Sequence, residues 1–182
     1  MSVFKKRRIT TGEVMLLTHI FAQTLPYRDL EVLTNFGDFG GEDNSITPGD
    51  APMFSAQIWS EDFSAGTVSD SDKGTFIHEF THVWQYYHGI TKLSVIWLAL
   101  RHLGDYRNAY PYDLSDEDDL TDYNVEQQAA IIEDYWRITR SLSPLNNNGI
   151  DKKLSSYQQF VNQVKGAGAP HAPLIPEMRF RH

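Results

Sequence analysis

The chain has 182 residues, no cysteine and a formal net charge of -8 at pH 7. This length is typical of a single domain that buries a core without disulfides or structural metal, and the acidic balance argues against a nucleic-acid partner, which requires clustered lysine and arginine. Because there are no thiolates, any metal site must use nitrogen and oxygen ligands.

The N-terminal region carries no recognisable targeting or membrane signal. It lacks the apolar stretch and the cleavage site of a signal peptide, and the basic run Lys5–Arg8 is predicted to be a solvated arm. The most apolar run, residues 93–100, is too short to span a bilayer. We therefore expect synthesis in the cytoplasm, no membrane insertion and, for any action outside the producing cell, a delivery route other than a cleaved signal.

Hydrophobic periodicity predicts an α+β fold. A first helix is expected from Thr11 to about Leu25, and β-type runs at residues 30–33 and 53–59 predict a small antiparallel sheet. This sheet is expected to pack against a mainly helical core. Four further helices are predicted: residues 73–88, closed by Gly89, then 91–102, 120–140 and 151–164.

The chain is predicted to form one domain, residues 1–165, followed by an extended tail with several prolines, residues 166–182. The acidic run at residues 113–122 is predicted to be a solvated loop that places negative charge at the start of the next helix. A metal-binding loop is the alternative interpretation of this run.

The second predicted helix contains the sequence His78-Glu79-Phe80-Thr81-His82. At 100° per residue, the two histidines and Glu79 lie within about 100° of one another. Bulky apolar residues occupy the opposite side of the same helix: Phe76, Phe80, Val83, Trp84 and Tyr87. Histidines that only filled the core would be expected among those residues. The pair is therefore predicted to bind zinc, with water in an open coordination position.

Glu79 follows the first histidine directly, so it is expected beside the metal rather than on it. A carboxylate in this place can take a proton from water and pass it to a leaving amine, as the general base and acid of amide hydrolysis. The alternative is an ordinary surface carboxylate.

The third zinc ligand is predicted to be Glu126, in the long helix at residues 120–140. Ala129 and Ala130 lie about one turn later on the same face of that helix. Their small side chains would allow it to approach the motif helix closely.

Other residues remain alternatives for the third ligand. His88 has the spacing of the third histidine of metzincins, but Gln85 stands where that motif has a glycine that breaks the helix. Glu133 and Asp122 are further candidates, although Arg137 offers Glu133 an ordinary partner one turn away.

Two features bear on a substrate. The run Ala56–Trp59 is a candidate for a strand edge beside the metal, to which a peptide could add as a further strand, and sheet core is the alternative. Tyr123, His88 and His102 are candidate donors to a tetrahedral oxyanion, with purely structural roles as the alternative.

Three segments, residues 10–13, 76–85 and 124–135, resemble a family of small bacterial zincins. Members occur alone, as Rhs-type or Vgr-related proteins, and as C-terminal extensions of type VI secretion spike proteins. The resemblance covers about residues 9–140 and is strongest at the motif helix. It implies a zincin-like fold with an active-site helix of the form His-Glu-x-x-His.

By residue match, the resemblance implies that His78, His82 and Glu126 bind Zn2+ and that Glu79 is catalytic. The arrangement is similar to that of gluzincins, in which an aspartate usually follows the glutamate ligand by four residues. Here that position is Ala130, so the groups that orient the histidines are not identified.

The leading hypothesis is a zinc metallopeptidase that cleaves a protein or peptide. The resemblance further implies an antibacterial type VI secretion effector, carried by a spike protein into the periplasm of a target cell and neutralised in the producer by an immunity protein. The alternatives are a noncatalytic zincin-fold module of a secretion spike, or a zinc amidase that acts on cell-wall peptides.

Overall fold

The computed structural model describes residues 5–34, 45–89, 110–114, 119–148 and 153–170. The helix predicted at residues 91–102 lies outside the described residues, as do His102, part of the acidic run and most of the predicted tail. The described part combines a small sheet with four α-helices, which confirms the α+β fold class. In chain order the elements are β1 (Lys6–Arg8), α1 (Thr11–Phe21), β2 (Glu31–Thr34), β3 (Ser45–Ile46), β4 (Met53–Phe54), α2 (Asp70–Tyr87), α3 (Val125–Thr139) and α4 (Leu154–Gly166).

The strands form one mixed sheet in the order β1-β2-β4-β3. Neighbouring strands are antiparallel except β2 and β4, which run parallel with Leu33 opposite Met53. The prediction of an antiparallel sheet was therefore wrong. The chain places β3 at the outer edge before β4 returns beside β2, and a strand's hydrophobic pattern does not encode the direction of its partner.

The strand predicted at residues 53–59 ends early. The carbonyl oxygen of Ser55 accepts hydrogen bonds from the amides of Ile58 (3.2 Å) and Trp59 (2.9 Å), so the chain turns directly after Phe54. The proposed strand edge at Ala56–Trp59 is therefore incorrect, and among the described strands β3 is the outermost on this side of the sheet.

The basic N-terminal run is not a solvated arm, because most of it forms β1. Arg7 donates two hydrogen bonds to the fully buried carboxylate of Glu13, at 2.8 and 2.6 Å. Glu13 also accepts from the amides of Thr10 and Phe63, at 2.8 Å each. This carboxylate joins β1, the start of α1 and the loop before α2.

Helix α2 lies at the centre of the fold. Ser69 caps its first turn, and the chain leaves it through Gly89, whose φ of 89° favours glycine. On one side of α2, Phe76 and Phe80 join Phe54 and Phe63 in an aromatic cluster. Successive ring centroids in this cluster lie 4.6 to 4.7 Å apart. The other side faces α3. The two motif histidines are thus buried where α2 meets α3 rather than exposed at the surface.

The long helix predicted from residue 120 is divided. Leu120–Asp122 form a separate 3-10 turn, and α3 starts after Asn124, whose side chain accepts hydrogen bonds from the amides of Glu126 and Gln127 at 2.9 Å each. This cap places Glu126 in the first turn of α3, where negative charge is favourable. Among the described residues, no helix is both long and apolar enough to cross a membrane.

Candidate metal centre

Helices α2 and α3 bring two imidazoles and one carboxylate together. The Oε2 atom of Glu126 lies 3.5 Å from His78 Nε2 and 3.2 Å from His82 Nε2. One candidate ligand atom from each of the three residues lies within 4.8 Å of the others, and all three side chains are buried. This cluster could hold a metal ion.

The distances from Glu126 Oε2 to the two imidazoles, 3.5 and 3.2 Å, are close to the ligand separations of a tetrahedral zinc site. Ligands at about 2.0–2.2 Å from zinc lie about 3.3–3.6 Å from one another. Glu126 Oε2 is also buried without a well-aligned hydrogen-bond partner in the described part of the chain. A buried carboxylate oxygen that faces two imidazoles without a hydrogen bond is suited to bind a cation. The residues therefore fit a zinc ion.

Two of the alternative third ligands lie elsewhere. His88 Nε2 is 3.0 Å from the carbonyl oxygen of Thr24, and its ring stacks on Trp84 at 4.7 Å. Helix α2 continues through Gln85 to Tyr87, so no break swings His88 toward the cluster. The exposed Asp122 accepts a hydrogen bond from the amide of Asp119 at 2.8 Å.

Glu133, the other alternative, lies behind His78. Its Oε2 atom is 3.2 Å from His78 Nδ1, the ring nitrogen that points away from Glu126. The expected partner Arg137 instead donates through Nε to the carbonyl oxygen of Ser143 at 2.9 Å. A Cβ atom on residue 74 would lie 3.2 Å from Glu133 Oε1, so Gly74 leaves room for this carboxylate.

Gln85 performs the corresponding task for His82. His82 Nδ1 lies 2.8 Å from Gln85 Oε1, and Gln85 Nε2 donates to the carbonyl oxygen of Val125 (3.0 Å) and to Gln128 Oε1 (2.8 Å). On the nitrogen that faces away from the cluster, His82 therefore has a hydrogen bond, whereas His78 has the Glu133 carboxylate close by at 3.2 Å but no well-aligned hydrogen bond in the described part of the chain. In the sequence, Gln85 stands out only because it replaces the glycine of the metzincin motif. Its position one helical turn after His82 is the signal that could have identified it as a partner of this histidine.

The charges within the cluster reinforce one another. Burial favours neutral imidazoles, but Glu126 and Glu133 outweigh this effect and raise the pKa of His78. Glu126 likewise raises the pKa of His82 against the effect of burial. Burial also disfavours an ionised Glu126, yet the two imidazoles hold the pKa of this carboxyl well below its usual range. The electrostatic environment therefore favours positive charge at the centre of the cluster.

Glu79 is nearly buried, with 5% of its surface exposed, and it makes no ion pair with the cluster in the described residues. Its Oε1 atom accepts a hydrogen bond from Ser45 Oγ at 2.7 Å, and its Oε2 atom accepts one from Thr47 Oγ1 at 2.6 Å. The carboxylate thus faces β3, beside the histidines but apart from Glu126.

The structure gives two of the oxyanion candidates other partners. The hydroxyl of Tyr123 donates to the carbonyl oxygen of Asp113 at 2.9 Å, and His88 contacts Thr24 as described above. The tyrosine that contacts the cluster is Tyr110, whose ring centroid lies 5.7 Å from that of His78. Tyr110 is not among the oxyanion donors predicted from the sequence, because no local pattern connects it to the motif helix.

No family model matches the chain. It is 32% identical over 135 residues to the type VI secretion system spike protein VgrG2b of Pseudomonas aeruginosa, an alignment that spans 71% of this chain and 13% of that protein. The solved effector domain of Pseudomonas aeruginosa VgrG2b superposes with a TM-score of 0.64 and 26% identity, over 88% of this chain and 83% of that domain. The chain is therefore similar, in sequence and fold, to an effector domain carried by a secretion spike protein.

Proposed function

We propose that the protein is a zinc metallopeptidase with a zincin-like fold. The observation that carries this proposal is the buried cluster of His78, His82 and Glu126, with Glu79 beside it on the same helix. A zinc ion held by these three residues would keep its fourth position for water, which is typical of catalytic rather than structural zinc. Glu133 and Gln85 orient the two imidazoles from behind.

The reaction proposed is hydrolysis of a peptide bond. When bound, zinc lowers the pKa of a water ligand to around 7 and polarises a carbonyl group. Glu79 accepts the proton of the attacking water on its carboxylate and later gives it to the leaving amine. Burial of the site excludes bulk water and strengthens these interactions.

The proposed substrate is an extended protein or peptide segment. β3 is an edge strand of the sheet, and its Ser45 contacts Glu79. A substrate strand that pairs with this edge would bring its peptide bonds beside Glu79 and the cluster. This edge takes the place of the one predicted at Ala56–Trp59.

The relatives support a role as a type VI secretion effector. The similar spike protein belongs to a type VI secretion system, and the similar solved domain is called an effector domain. We propose that this chain travels with a secretion spike, acts in the periplasm of a target cell and is neutralised in the producer by an immunity protein. Expression directed to the periplasm should slow growth, and cytoplasmic expression should not.

Zinc content and hydrolysis test the proposed activity together. The purified chain should take up stoichiometric zinc and cleave an unfolded protein, a chelator should stop the cleavage, and added zinc should restore it. Isolated cell-wall peptides are tested alongside the unfolded protein. If only the cell-wall peptides are cleaved, the enzyme is an amidase. A chain that binds no zinc would contradict the proposal, as would cleavage that is indifferent to metal removal.

We expect Glu133→Ala to weaken zinc binding by about 10- to 100-fold, the usual cost of losing a partner that orients a metal ligand. The reason is that His78 Nδ1 faces Glu133 at 3.2 Å and would lose the group that orients its ring. Competition with a chromogenic chelator measures the affinity. Glu61→Ala, at an exposed carboxylate far from the cluster, is the control and should bind zinc like the wild type. Equal affinities for the two variants would contradict this role.

A further inference from the structure

The carboxylate of Glu79 is held from outside its own helix. Ser45, in β3, and Thr47, just after it, each donate a hydroxyl hydrogen bond to a different oxygen of this carboxylate, at 2.7 and 2.6 Å. The Thr47 hydroxyl also lies 3.2 Å from the main-chain carbonyl oxygen of Glu79. The bond from Thr47 is buried, and the bond from the half-buried Ser45 is partly buried.

Two hydroxyl bonds restrict the carboxylate without consuming its capacity to accept a proton. A carboxylate oxygen has two acceptor positions, and each oxygen of Glu79 uses one of them for a hydroxyl. The side chain of a glutamate on a helix has several rotamers, and bonds to both oxygens select one orientation. A base fixed in one place is effective only if that place is next to the proton it must take.

The two donors reach Glu79 from a different layer of the fold. β3 lies at the edge of the sheet and packs against α2. A change in the position of β3 would therefore move the carboxylate relative to the histidines, which are oriented from α3 by Glu133 and from α2 by Gln85. The base and the metal ligands are supported by separate elements.

We propose that Ser45 and Thr47 are positioning residues that hold Glu79 in the orientation required for proton transfer. This inference rests on the proposed peptidase function. It assigns β3 two tasks, because the strand that is outermost among the described strands, and that would pair with the substrate, also holds the base. Glu79 then lies at a fixed distance from a peptide bound along that edge.

The test compares Thr47→Val, which keeps the shape of the side chain but removes the hydroxyl, with Thr47→Ser, which keeps the hydroxyl. Thr47→Val should lower kcat by about 10- to 100-fold, because small displacements of a catalytic group have effects of this size. KM and zinc content should stay near wild-type values. Thr47→Ser should recover most of the lost kcat, and Ser45→Ala should lower kcat in the same direction.

Thr24→Val is the matched control, because Thr24 is also a buried threonine whose hydroxyl bonds within the protein, to the carbonyl oxygen of Phe21. It should leave kcat unchanged. A second comparison uses a Glu79→Gln background, in which Thr47→Val should cause little further loss, since residues that act as a unit are not additive.

Several results would overturn the inference. They are a wild-type kcat in both Thr47→Val and Ser45→Ala, a Thr47→Ser variant as impaired as Thr47→Val, or a full further loss in the Glu79→Gln background. Loss of zinc or of folding in Thr47→Val, with normal kcat in Ser45→Ala, would also overturn it. A wild-type chain that binds zinc but cleaves nothing would refute the proposed function, and the inference with it.

Discussion

Glu79→Gln is expected to lower kcat for peptide hydrolysis by about 10²–10⁴-fold, the usual contribution of a general base. The amide keeps the size of the carboxylate and can still bond to Ser45 and Thr47, whose hydroxyls can rotate. What it loses is the ability to accept a proton from water. Zinc content should remain at the wild-type level, because Glu79 is not one of the three clustered ligands.

The comparison of activity with metal content makes this prediction specific. Hydrolysis of an unfolded protein measures the loss, and elemental analysis of the same sample measures zinc. Growth inhibition on periplasmic expression should disappear together with activity. If Glu79→Gln lost its zinc, Glu79 would be a ligand, and if it remained as active or as toxic as the wild type, the enzyme hypothesis would be wrong.

Glu126→Gln is expected to weaken zinc binding by more than about 100-fold, because the loss of a partner behind a ligand already costs about 10- to 100-fold. Glu126 is 1% exposed, and its Oε2 atom is the point on which both imidazoles converge. The substitution keeps the shape of the side chain but removes its negative charge. Without that charge, the two buried imidazoles and the cation lose the carboxylate that both imidazoles face.

Chelator competition measures the affinity directly, and thermal unfolding provides a second measurement. Zinc that binds only the folded state stabilises it by about 4.1 kcal/mol at a free concentration of 1,000 times Kd. The wild type should therefore unfold at a higher temperature with zinc, and Glu126→Gln should show little of this gain.

His88→Ala is the control for the alternative ligand. His88 contacts Thr24 and stacks on Trp84, so its removal should leave zinc affinity unchanged. Loss of zinc binding in His88→Ala, together with normal binding in Glu126→Gln, would reverse the assignment of the third ligand.

The sequence by itself determined the local parts of this protein. The helical spacing of His78 and His82, with apolar residues on the opposite side, indicated a helix with a polar and a core face, and both histidines lie in α2. Glu126 was selected because small residues follow it on one face of a second helix, and the structure places it against both imidazoles. The sequence could place these residues on one face of their helices because helical periodicity depends on residues close in sequence.

Only the tertiary structure decided which distant groups support this cluster. Glu133 appeared paired with Arg137 along its own helix, but the packing of α3 on α2 turns it toward His78. Ser45 and Thr47 had no sequence signal at all, because a hydroxyl on a short strand becomes a partner of Glu79 only when β3 packs beside α2. The parallel pairing of β2 with β4 was likewise hidden. Each of these contacts joins elements far apart in the chain, and local patterns carry no information about such contacts.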